Sequence, residues 1–164
     1  MMMFVTVENF LADYKNEAVL TKKLLDALTD ASLKQETAPG YRTLGELAWH
    51  LVPNDSMFKP MGLSIKNPGS SEVPASASDI AEQYRIGADS VIEAVSKWDD
   101  EKLQETNEVF GYEWQNGLTL SLFLKHEIHH RGQLTVLMRQ AGLPVYGAYG
   151  PSKEEWAEMN IPSL

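Results

Sequence analysis

The 164-residue chain contains no cysteine. That absence removes disulfides, iron–sulfur clusters, thiolate zinc sites and a protein thiol nucleophile together, so a bound metal must use nitrogen or oxygen ligands. Basic residues are scarce: 14 Lys and Arg stand against 23 Asp and Glu, giving a formal charge of −9 and a pI near 4.9. A surface of that sign repels phosphate backbones and anionic lipid, so nucleic acid is not an expected partner. No apolar run approaches the ~18 residues of a membrane span, and residues 1–4 lack the basic and apolar regions of a secretory leader. The expectation is a cytoplasmic protein with no membrane partner. With 43% hydrophobic and 23% charged residues the chain has the composition of a folded globular protein, and its length suits a single domain over 1–164.

Hydrophobic periodicity organises the rest. From Thr6, apolar residues at Val7, Phe10, Leu11, Tyr14, Ala18, Leu24, Leu25 and Leu28 recur mostly three or four apart, which predicts a long amphipathic helix. A second helix opens at Thr43, where Thr43 and Glu46 have capping-box spacing, and runs through TLGELAWHLVPNDSMF with a kink or an end at Pro53. The Gly-, Ser- and Pro-rich residues 62–77 read as a long crossover loop. Ser76 and Asp79 open a third helix that ends near Trp98. Residues 99–117 hold Phe110, Tyr112 and Trp114 in alternation, which fits either a short hairpin or a packed irregular connection. A fourth helix spans about 119–141 and is stopped by Gly142 and Pro144; Ser152 and Glu155 then cap a short last helix that would lay Trp156 on the body. Four amphipathic helices with one long crossover predict an all-α four-helix bundle, whose facing side chains can build a metal site.

Three of the four histidines fall within KHEIHHRGQ. On a wheel of 100° per residue with Leu120 at zero, His126 lies at about 240° and His130 at about 280°, beside Leu137, Phe123 and Leu134, a stripe read as the buried face. His129 falls at the edge, near about 180°. Two imidazoles one turn apart on an apolar face call for partners, either a shared metal or carbonyls and carboxylates on facing helices. His50 sits on the inner stripe of the second helix with Leu47 and Leu51. Three inward histidines on two helices make a facial site with open positions, suited to zinc, nickel, copper or iron. The letters His126-Glu127-Ile128-His129-His130 also spell the HExxH of zinc peptidases, but Gln133 and Val136 stand where the extended pattern wants Gly and His.

At these residues the sequence resembles the DinB family of bacterial four-helix-bundle proteins. The resemblance is carried by GELAWHL at 45–51, HEIHHRGQL at 126–134 and GLPVYGAYGPSKEEW at 142–156. It implies an up-down-down-up bundle with one long crossover, usually a homodimer, with a divalent metal, zinc or nickel, held by His50, His126 and His130 and completed by water. It also implies activities found among relatives: metal-dependent hydrolysis, or transfer of low-molecular-weight thiols such as bacillithiol or mycothiol.

Two classes of function follow. In one, the chain is an enzyme whose metal activates water or an external small thiol against a small-molecule substrate. In the other it is a non-catalytic, stress-linked metal-binding bundle whose work is dimerisation and ligand capture. Glu127 is placed either as a base near the site or in a solvated pair with Arg131. Glu46 and Asn54, four residues either side of His50, are candidates to orient its ring. Leu124, Ile128 and Gly132 form a second apolar strip, read as a homodimer seam or as packing under residues 99–117, and Tyr146, Tyr149 and Trp156 are either pocket walls or packing of the tail on the bundle.

Overall fold

The computed structural model describes residues 3–67 and 71–162. Helix α1, Val7–Leu25, begins where Thr6 accepts from the Asn9 amide at 3.2 Å. Helix α2, Leu44–His50, has the reciprocal capping box expected of Thr43 and Glu46. Pro53 ends this helix rather than kinking it, and one further turn, α3, Asp55–Phe58, restarts beyond it with Asn54 as its cap. The Pro ring settles against α4, Ala77–Val95, at Gly87, where an added Cβ would lie 3.0 Å from Pro53 Cδ. Of the predicted crossover, residues 68–70 lie outside the described residues.

The connection left open between two forms is a hairpin: β1, Thr106–Val109, pairs antiparallel with β2, Tyr112–Gln115. Its turn residues Phe110 and Gly111 have φ of 53° and 81°. Helix α5, Asn116–Gln140, follows directly and starts three residues earlier than the periodicity suggested. Gly142, at φ 73°, closes it, with the Leu143 amide donating to the Met138 carbonyl at 2.9 Å. The last helix, α6, Lys153–Glu158, has its capping box, yet it contributes no buried residue and Trp156 is only half-buried.

Helices α1, α4, α2 and α5 pack as a ring in that order, the all-α bundle the periodicity predicted. Its core carries an aromatic ladder: Phe10 stacks on Tyr14 at 5.5 Å, Tyr14 meets Phe123 at 5.2 Å, and Phe123 meets Phe58 edge-on at 4.8 Å. No described helix is long and apolar enough to cross a membrane.

The rotation of α5 differs from the wheel. Its buried arc contains Leu120, Leu124, Glu127, Arg131, Leu134 and Met138, centred near Leu120 itself, so the histidines flank the core instead of facing it. His126 is exposed and His130 half-buried. Of the strip read as a dimer seam, Leu124 is buried and Ile128 packs partly on the core, whereas Gly132 is exposed beside a groove bordered by residues 145–152.

Candidate metal centre

Two charged side chains set the rotation of α5. Glu127 is 3% exposed; its Oε1 accepts from Thr21 Oγ1 of α1 at 2.7 Å and from Tyr84 OH of α4 at 2.5 Å. Arg131, 2% exposed, donates to the Glu17 carboxylate, to the Glu17 carbonyl at 3.1 Å and to Thr21 Oγ1 at 3.3 Å. Tyr149 OH donates to the other Glu17 oxygen at 2.6 Å. A buried charge is tolerated only when paired and hydrogen-bonded: Arg131 has its pair in Glu17, and Glu127 has two hydroxyl donors on Oε1. The solvated Glu127–Arg131 pair expected from spacing is therefore two anchors into α1 and α4.

With α5 fixed this way, His126 and His130 stand one turn apart on the cleft side. His50, the last residue of α2, meets them from the neighbouring helix. Nε2 of His126 lies 3.3 Å from Nε2 of His50 and 3.0 Å from Nε2 of His130, and the ligating atoms of all three lie within 4.8 Å of one another. Nitrogens bonded to one ion at about 2.0–2.1 Å stand roughly 2.8–3.4 Å apart in octahedral or tetrahedral geometry. Lone pairs gathered this closely repel one another unless a cation or proton lies between them. The cluster fits a divalent ion and can hold one.

Gln133 fixes the orientation of two of the rings. Its Oε1 lies 2.7 Å from His130 Nδ1, so Nδ1–H donates there and leaves the Nε2 lone pair aimed at the cluster; its Nε2 donates to exposed His129 at 3.2 Å. Sequence reasoning assigned Gln133 no role, although its i,i+3 spacing from His130 was visible. Burial holds the pKa of His50 down to about 4, helped by the repulsion that joint protonation with His130 would bring, by the Arg42 charge and by the same repulsion with His126; burial also lowers His126 and His130. All three are neutral, ligand-ready imidazoles at neutral pH.

Beside the cluster opens a cleft of about 510 Å³, bordered by His50, His126, His129 and Glu127 and otherwise mostly apolar. Glu127 Oε2 is buried and has no hydrogen-bond partner among the described residues, and burial raises this carboxyl's pKa. Glu46 and Asn54 do not support the His50 ring: Glu46 accepts from the Thr43 amide at 2.7 Å and Asn54 from the Ser56 amide at 3.0 Å, both as caps. Nor do the tail aromatics wall this cleft. Tyr146 lies under Lys23 Nζ at 4.2 Å and Tyr149 binds Glu17, both bordering the groove on another side of α5. The third histidine comes from upstream on a separate helix, unlike the downstream ligand of the HExxH peptidase pattern.

Comparison with known proteins agrees with this architecture. The chain is 43% identical over 162 residues to YrdA, an uncharacterized protein of Bacillus subtilis strain 168, covering 97% of both chains. It superposes on the crystal structure of a DinB-like protein from Bacillus cereus ATCC 10987 with a TM-score of 0.86 at 44% identity, over 90% of this chain and all of that one. A second DinB-like protein, YjoA of Bacillus subtilis, shares the fold at a TM-score of 0.64 and 18% identity, over 88% of this chain and 99% of the other. The sequence pattern of the DinB family matches residues 3–163, and with these relatives it establishes that the chain belongs to the DinB family.

Proposed function

We propose that this chain is a divalent-metal-dependent enzyme, a hydrolase or a low-molecular-weight thiol S-transferase, with His50, His126 and His130 holding zinc or nickel. The observation that carries the reading is the convergence of three neutral Nε2 atoms, 3.0 and 3.3 Å apart, beside an open cleft rather than inside a closed core. When bound there, such an ion supplies Lewis acidity that makes a water or a small thiol anionic near neutral pH.

The chain's own residues provide the surroundings. Gln133 holds His130 in one tautomer. The mostly apolar cleft offers a small-molecule substrate surface to bury against, and Glu127, whose buried Oε2 has no partner among the described residues, is the carboxyl we assign to hold or return a proton. With no cysteine in the chain, a thiol must arrive as a co-substrate.

The test is to load the protein with zinc or nickel and assay two panels: simple aryl and alkyl esters, and bacillithiol-type thiols with an electrophile. Turnover that disappears with chelator and in His126→Ala supports the reading. Turnover that survives in folded His126→Ala contradicts it, and a metal-loaded protein inert to both panels favours the non-catalytic metal-binding module.

A further inference from the structure

We propose that the cleft beside the histidines selects a small molecule with an aromatic or otherwise flat apolar body and a polar, metal-coordinating head. This substrate class rests on the reading of the three histidines as metal ligands. The cleft's volume of about 510 Å³ suits a compact organic molecule. Besides the histidines and Glu127 its polar lining is Asn54, Ser56 and the exposed Lys125; Phe58 and Phe123, in edge-on contact, and Val52, Met57, Phe110 and Trp114 belong to its apolar majority. A ligand that laid charge against those apolar side chains would lose hydration without a partner among them; an aryl body would gain burial and ring contacts.

The second observation is the conformation of Phe110. It is the first of two turn residues between β1 and β2, with φ at 53° followed by Gly111 at 81°, the pattern of a type I′ turn, which favours Asn and Gly at both places. A Cβ-bearing aromatic residue is strained there. The ring contributes little to the fold in return, being 62% exposed, yet it borders the cleft. Local strain at a residue that packs poorly and lines a binding cavity is the mark of a position kept for its ligand. Trp114, two residues into the return strand and stacked on Tyr112 at 5.6 Å, presents a second aromatic surface from the same hairpin.

The test uses zinc-loaded protein and two probes with the same chelating head, acetohydroxamic and benzohydroxamic acid, with affinities measured by calorimetry and zinc per chain measured alongside. The phenyl probe is expected to bind at least about tenfold tighter, the effect of burying one ring. In Phe110→Asn, zinc content is expected to hold and thermal stability to hold or rise, because Asn relieves the turn, while the phenyl advantage falls about threefold or more. Trp114→Ala should also reduce that advantage with zinc retained. Equal affinities in the parent protein, or an advantage undiminished in both variants, would overturn the proposal while leaving the metal site standing. Failure to take up zinc would overturn the metal reading and this inference with it.

Discussion

The amide of Gln133 decides which nitrogen of His130 is free to ligate, since its Oε1 takes the Nδ1 proton at 2.7 Å. Removing such a support usually costs about 10- to 100-fold in metal affinity. Gln133→Leu should therefore weaken zinc binding by that factor in a competition titration against a chromophoric chelator, whereas His129→Ala should leave it within about threefold. The three imidazoles also set a pH dependence. Burial lowers His50 to about 4, with His126 and His130 lowered too, so below about pH 6.5 the unfolded chain takes up protons that the metal-free fold refuses. This source costs nothing above that pH and erodes stability as pH falls toward about 4. The urea midpoint of the metal-free protein should drop across that window, and His50→Ala should make the drop shallower.

Helix α2 delivers its ligand from its final residue, so the site depends on how that helix stops. Pro53 ends it and packs against Gly87 of α4, with no room for a Cβ to be added freely. Gly87→Leu should overpack this contact, lowering Tm by roughly 3 to 10 °C and weakening metal binding as His50 shifts. Gly132→Ala, where the space is open, should instead raise Tm by about 1 to 4 °C through helix propensity. At this scale much was legible: Thr43, Glu46, Ser152 and Glu155 marked helix starts, and Gly142 marked an end. The rotation of α5 was not. Its buried face includes Glu127 and Arg131, and their partners Glu17, Thr21 and Tyr84 lie 43 to 114 residues away in sequence. A periodicity scan counts those two as solvent-facing and swings the inferred core toward the histidines. The cleft was equally hidden, because Phe110 and Trp114 reach it only through a hairpin whose residue alternation fitted two conformations.

Across the whole molecule, the three histidines join α2 to α5, neighbours in the bundle ring that are separated by 76 residues between His50 and His126. An ion held there binds the folded bundle and not the unfolded chain. At a free concentration a hundredfold above its dissociation constant it should add about 2.7 kcal/mol, raising Tm by roughly 5 to 11 °C. That shift should be absent in His130→Ala. The three ligand candidates were legible despite the error in rotation, because i,i+4 spacing puts His126 and His130 on one side of α5 wherever its core lies. The account stands most directly on a metal count. Elemental analysis of the purified protein, reconstituted with zinc or nickel, beside folded His130→Ala and His129→Ala should give about one metal per chain in the parent and in His129→Ala, and none in His130→Ala. Absence of metal from the parent, or full retention in His130→Ala, would contradict the three-histidine site.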